Sequence, residues 1–321
     1  MLRRRVLAIG LAGAVAALAE GCGQEDAADS SDGAGQIGDE TPLPTYDPST
    51  YDPPKIDIAQ LRKLYTYDQK AKLDASLTDQ QVERGLRIED LTYTGAKDAT
   101  VPLYIVSPYA SRGLVPGVVF AVDAGATRDG LLTEVTELAK LGIVGAVPGV
   151  EFEPTGDPQT DSTMMINAVI AQQRALDLLA KRSDVDSSRL AVVGFGWGGA
   201  QAQIMSGLDT RLSGVVSVAS GGRWSRVAYR AAKPAEPGSY MEAMTRFDGV
   251  RYLSVSGKRS VLLQFGKMDS DVSSDDADEA TQTTVGTKER TDYDAAHDLT
   301  AIQTAVADRK TFLRQVLKIG S

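Results

Sequence analysis

Cysteine is almost missing from this chain: Cys22 is the only one in 321 residues. A disulfide framework is therefore excluded. Histidine is just as scarce, with His297 alone. Positive charge is in deficit, since 34 Lys and Arg face 43 Asp and Glu for a formal net charge of −9. No basic face is available to collect phosphates, which argues against a nucleic-acid partner. Long apolar runs are also lacking. The one clear example, Val6 to Leu18, is too short to span a bilayer comfortably, and nothing after it reads as transmembrane.

What is present starts with a targeting segment. Arg3, Arg4 and Arg5 precede that apolar run, and Ala19-Glu20-Gly21-Cys22 follows it. A small residue before a single cysteine, at this position, resembles a bacterial lipoprotein signal, although Glu20 stands where a small or apolar residue is usual. Arg3-Arg4-Arg5-Val6-Leu7 also resembles a twin-arginine signal, weakly. The resemblance implies that residues 1–22 are removed up to a lipidated Cys22, so that the protein is exported and held at a membrane, with no thiol left for catalysis. Residues 23–54 are rich in Asp, Ser, Gly, Thr and Pro and repeat Thr-Tyr-Asp-Pro at Thr45 and Thr50. Such a stretch cannot bury enough apolar surface to offset its chain entropy and is expected to be an extended tether. Residues 55–321 are long enough for one domain with a single core.

Within that domain β-rich runs alternate with helical ones. Ile88–Thr94 and Val101–Ser107 read as a strand pair joined at Gly95. Six further strands are expected at Val118–Val122, Ile143–Val147, Leu190–Val193, Val215–Val218, Val261–Phe265 and Arg290–Tyr293. Helices are expected at Leu131–Leu141, Thr163–Lys181, from the glycine turn to about Ser206, and Thr300–Lys318. Arg223–Val250 is a partly helical insertion after the sixth strand. The order predicts an α/β fold: a mostly parallel, eight-stranded sheet with helices on both faces and the site at the carboxyl ends of the strands.

Gly194-Phe195-Gly196-Trp197-Gly198-Gly199 is the most informative segment, because it lies between a strand and a helix. As G-x-G-x-x-G it would be a dinucleotide fingerprint, which needs an acidic residue closing the next strand. That strand runs Gly214-Val215-Val216-Ser217-Val218-Ala219-Ser220-Gly221 and offers none, so no cofactor is expected. As G-x-S-x-G the segment is a nucleophile elbow with Gly196 in the serine's place. This reading demands an acid after a later strand and then a histidine before the last helix. Asp269 follows Val261–Gly266, and His297 precedes the closing helix. A lone histidine or a loop aspartate is ordinarily unremarkable; both in the required order are not.

On these residues the stretch from Val82 to Lys318 resembles the α/β-hydrolase superfamily, most closely its dienelactone-hydrolase and acetyl-esterase branch. The features that carry the likeness are Val185–Leu190 entering the elbow, Leu262–Asp269 as the acid strand and Asp294–His297 as the histidine loop. The resemblance implies hydrolysis of a small acyl or ester-like ligand. It assigns Asp269 and His297 as triad acid and base, and the Trp197 and Gly125 backbones as oxyanion donors.

Two positions depart from the pattern. Gly196 has no nucleophile, and Asp123-Ala124-Gly125 stands where relatives often have His-Gly or His-Trp. A carboxylate at Asp123 is expected near the place where an oxyanion must develop, which would be costly in a dry site. Loss of the nucleophile should cost on the order of 10⁶ in turnover. The expectation is therefore an impaired hydrolase. Two alternatives stay open: water activated by His297 or another nucleophile, or a purely ligand-binding lipoprotein. Ser220 reads as a strand-terminal turn residue, and Arg223, Trp224 and Trp197 as possible pocket walls. Returning serine to position 196 is expected to restore labelling by a fluorophosphonate, provided the rest of the site is sound.

Overall fold

The computed structural model describes residues 46–111 and 113–320; Cys22 and the signal segment lie outside them. The first half of the domain contains α1 (Ile58–Lys63), β1 (Ser76–Glu83), β2 (Leu86–Thr94), β3 (Thr100–Pro108), β4 (Val115–Ala121), α2 (Leu132–Lys140), β5 (Val144–Pro148) and α3 (Pro158–Lys181). The second half continues with β6 (Val185–Phe195), α4 (Trp197–Leu208), β7 (Leu212–Val218), α5 (Trp224–Ala232), α6 (Pro237–Met244) and α7 (Val250–Leu253). It closes with β8 (Ser260–Gly266), α8 (Ser274–Thr283), β9 (Lys288–Tyr293) and α9 (Gln303–Val316).

The strands form one sheet in the order β1-β2-β3-β5-β4-β6-β7-β8-β9. The pairings from β1 to β3 and of β3 with β5 are antiparallel, and all the rest are parallel. Nine strands stand where eight were expected. The additional one is β1, whose eight residues are all exposed and whose sequence, Ser-Leu-Thr-Asp-Gln-Gln-Val-Glu, has no apolar alternation to announce it. It exists because β2 offers it an edge to pair with. Helix α8 was also unforeseen: its Ser-Asp-Asp-Ala-Asp-Glu stretch buries only Asp276, Ala277 and Ala280, and Ser273 caps it by accepting from the Asp276 N–H.

The core shows why the parallel strands read as continuous apolar runs. Val119, Val192, Val215 and Leu263 face one layer, with residues of α3 and α4. Their neighbours Val118, Val193, Val216 and Leu262 face the other, with residues of α2 and α9. Both faces are covered, so both phases of the period-two pattern must be apolar. The segment expected as tether is, over residues 46–54, laid on the insertion. Tyr46 packs on the Tyr229 ring at 5.2 Å, and Arg251 donates to the Pro54 carbonyl at 2.9 Å.

The sheet order also locates the site. The chain leaves β4 for β5 on one side and then crosses to β6 on the other, so the strand order reverses at β4. Crevices at such a reversal are where open α/β sheets bind ligands. Ala121 and Gly194 are register partners there, which brings Asp123 and Gly196, each two residues further on, side by side.

Candidate active site

The elbow is a strand–glycine–helix turn with Gly196 at φ 48° and ψ −113°. L-residues rarely adopt such angles, whereas glycine meets no steric cost there. The Gly196 N–H donates to the Val218 carbonyl at 2.8 Å, and α4 begins at the next residue. Close packing of this turn needs Gly198 as well, since a Cβ there would fall 2.2 Å from the Ala121 carbonyl oxygen.

Asp269 and His297 come from the loops after β8 and β9, strands whose ends Gly266 and Tyr293 are register partners. His297 Nδ1 lies 3.0 and 2.9 Å from the two Asp269 oxygens. Asp269 Oδ1 also accepts from the Asp271 and Val272 N–H groups at 2.8 and 3.1 Å. Burial would raise the Asp269 pKa, but His297 and these two N–H groups outweigh it and hold the carboxyl below its ordinary value.

The third partner is Asp123. Its Oδ2 lies 3.1 Å from His297 Nε2, and its Oδ1 accepts from the Trp197 N–H at 2.8 Å and the Ala124 N–H at 2.7 Å. A Cβ on Gly196 would fall 1.9 Å from that same Oδ1. Asp123 therefore fills the space in which a side chain on residue 196 would begin and takes up the N–H that the helix after Gly196 presents. Hydrogen bonding to Asp123, then to Asp269, raises the His297 pKa from 6.5 to about 10 against the opposing effect of burial. The imidazole is thus a cation at neutral pH, held between two carboxylates.

The other expected residues sort as follows. Gly125 lines the cleft, but its N–H donates to the Phe152 carbonyl at 3.1 Å; the N–H beside that of Trp197 belongs to Ala124. Trp197 and Trp224 line the cleft, and the Trp197 ring stacks on Phe152 at 4.3 Å. Arg223 is turned to Glu279, with Asp248 at 3.6 Å, and lines neither chamber of the cleft. Ser220 is buried in a chamber wall.

Two chambers meet at Asp123, Ala124, Gly196, Ala219 and His297. One, of about 360 Å³, continues along Ala126, Leu131 and Leu299. The other, of about 310 Å³, continues along Phe152, Trp224 and Val227. No Lys or Arg lines either one. Asp269, Asp271 and His297 offer ligand atoms within 4.8 Å of one another, and His297 Nδ1 is already hydrogen-bonded to Asp269.

No protein-family model and no curated protein matches the sequence. Solved structures do. An acetyl xylan esterase from Paenibacillus sp. R4 superposes with a TM-score of 0.65 at 19% identity, covering 81% of this chain and 99% of its own. The fold is that of the α/β-hydrolases. Acetyl xylan esterase 1 from Thermoanaerobacterium sp. JW/SL YS485 gives a TM-score of 0.63 at 15% identity, covering 83% of this chain and 99% of the other. An S-formylglutathione hydrolase from Agrobacterium tumefaciens gives 0.59 at 16%, covering 75% and 99%. Within this α/β-hydrolase fold, Gly196 stands at the elbow and Asp269 and His297 stand beside it.

Proposed function

We propose that this chain is an exported α/β-hydrolase-fold protein, anchored to a membrane by lipid on Cys22. In this reading serine-dependent ester hydrolysis has been lost, and the cleft holds a small ester-like or acyl ligand. One observation carries it: the Asp123 carboxylate sits where a serine side chain would start and occupies the Trp197 N–H. An esterase needs both a nucleophile at that point and a free donor for the oxyanion. The ligand class rests on the esterase fold neighbours and on chamber walls that are largely apolar and lack a cation. Activation of water by His297 is the weaker reading, because an imidazole already protonated at neutral pH cannot accept water's proton.

A fluorophosphonate probe and p-nitrophenyl acetate test the enzymatic half. The unmodified chain is expected to take no label and to turn over ester on the order of 10⁶ more slowly than an intact serine hydrolase. Stoichiometric labelling would reverse the reading. Incorporation of labelled palmitate in a bacterial host, lost on Cys22→Ala, tests the anchor; incorporation unaffected by that change would remove it.

A further inference from the structure

A separate cavity, of about 330 Å³, shares no residue with the two chambers of the cleft. It lies between the loop after α1, the turn joining β2 to β3, and one face of α3. Arg174 of α3, only 3% exposed, lines it, and so does the exposed Lys97 of the turn. We infer that this cavity is a second binding site, for a small organic monocarboxylate whose carboxylate meets Arg174 and whose apolar body lies along α3.

The charge on Arg174 is the reason. Its guanidinium donates to the backbone carbonyls of Thr94, of Asp68 at 3.4 Å and of Lys72 at 2.7 Å. A guanidinium carries five N–H groups, so Nη1 and Nη2 each keep one that no other described residue accepts. No carboxylate among the described residues forms an ion pair with Arg174, whereas the similarly buried Arg309 is paired with Glu134. A buried cation without an anion bears its desolvation cost with no Coulombic return. A carboxylate in the cavity supplies that return and matches the guanidinium fork with two parallel bonds. The three carbonyls belong to the end of β2 and the loop after α1, so Arg174 also fixes two walls of the cavity before a ligand enters.

The remaining walls select the class of ligand. Leu64, Ala71, Ile166 and Ile170 offer apolar surface for a short hydrocarbon or aromatic body. Lys97 is accompanied by Asp68 and Asp98, all three exposed to solvent. These two carboxylates repel a second negative charge, which favours a monoanion over a phosphate dianion. The volume stands near the lower end for small-molecule sites and suits a body of benzoate or hexanoate size.

Fluorine NMR of p-fluorobenzoate with the full chain tests this, with neutral p-fluorobenzamide and inorganic phosphate as comparisons. The benzoate is expected to bind about ten-fold or more tightly than the benzamide, and phosphate should not displace it at equal concentration. Arg174 stays in place, because removing it would strip three carbonyls of a donor. Ala71→Phe, which fills the cavity from a half-buried loop position, should abolish the binding. Lys97→Glu should weaken it about three-fold or more. Both variants are checked for folding by circular dichroism. His297→Gln should bind the benzoate as the parent does. Trp197 and Trp224, the only tryptophans, both line the cleft, so their fluorescence should not respond. Folded parent that binds the benzoate no tighter than the benzamide overturns the inference. Binding that survives Ala71→Phe overturns it too, as does binding lost in His297→Gln, which would place the carboxylate in the cleft. These readouts are separate from fluorophosphonate labelling, so their failure leaves the reading of the elbow untouched.

Discussion

The Asp123 carboxylate occupies the volume in which a side chain on residue 196 would begin, with Oδ1 only 1.9 Å from an ideal Cβ on Gly196. The two positions are therefore linked: serine at 196 and this placement of Asp123 exclude one another.

The first prediction follows. Gly196→Ser alone will not restore a working elbow, because Asp123 must first give up the Trp197 N–H and His297 Nε2. Serine at φ 48° also carries backbone strain, on the order of 1–3 kcal/mol. The single variant is expected to label poorly with a fluorophosphonate and to melt lower than the parent. Asp123→Gly combined with Gly196→Ser frees the N–H and the imidazole together, and should label strongly. Equal labelling of the single and double variants would refute the linkage.

His297 is the only histidine, so its titration can be followed by NMR without assignment. Its pKa is expected near 10, and in Asp123→Asn it should fall back toward 6.5 by on the order of 1–3 pH units. The sign for stability is fixed by the direction of the shift. A base whose pKa is raised on folding contributes stability that is complete below 6.5 and is lost as the pH climbs through about 10. Urea midpoints measured across that window should decline in the parent and decline less in Asp123→Asn.

A buried ion pair ties the histidine loop to the sheet. Arg309 on α9, fully buried, makes paired 2.8 Å bonds to Glu134 on α2 and a 3.0 Å bond to Gln264 on β8. It also donates to the Leu299 carbonyl, two residues beyond His297. Arg309→Met leaves Glu134 as an unpaired buried charge and should cost about 3–5 kcal/mol in urea unfolding. Arg309→Met with Glu134→Leu should regain most of that loss.

The N-terminal boundary of the folded domain can be measured as well. A chain starting after Pro54 loses the Tyr46–Tyr229 ring contact and the Arg251 bond to the Pro54 carbonyl. It should be about 1–2 kcal/mol less stable than one starting at Tyr46.

Much of the fold was legible because parallel strands buried on both faces are largely apolar and run into glycine, as at Leu190–Val193 and at Val261–Phe265, where Gln264 is the one polar residue. What escaped was polar. Strand β1 and helix α8 hold their shape through an edge partner and a cap, which leave little trace in hydropathy. The Gly125 assignment illustrates a finer limit. Choosing between its N–H and that of Ala124 depends on a hydrogen bond to Phe152, a residue on another loop.

The sequence by itself determined the strand–helix order, the glycine elbow, and an acid and a histidine following it in the required succession. Each of these is written in local spacing and side-chain chemistry. Only the tertiary structure decided that Asp123 stands in the vacant position at 196. That relation spans strands far apart in the chain, with Trp197 74 residues from Asp123, and follows from the parallel register of Ala121 with Gly194. Register is set by the packing of two whole strands against their neighbours, and no short stretch of residues encodes it.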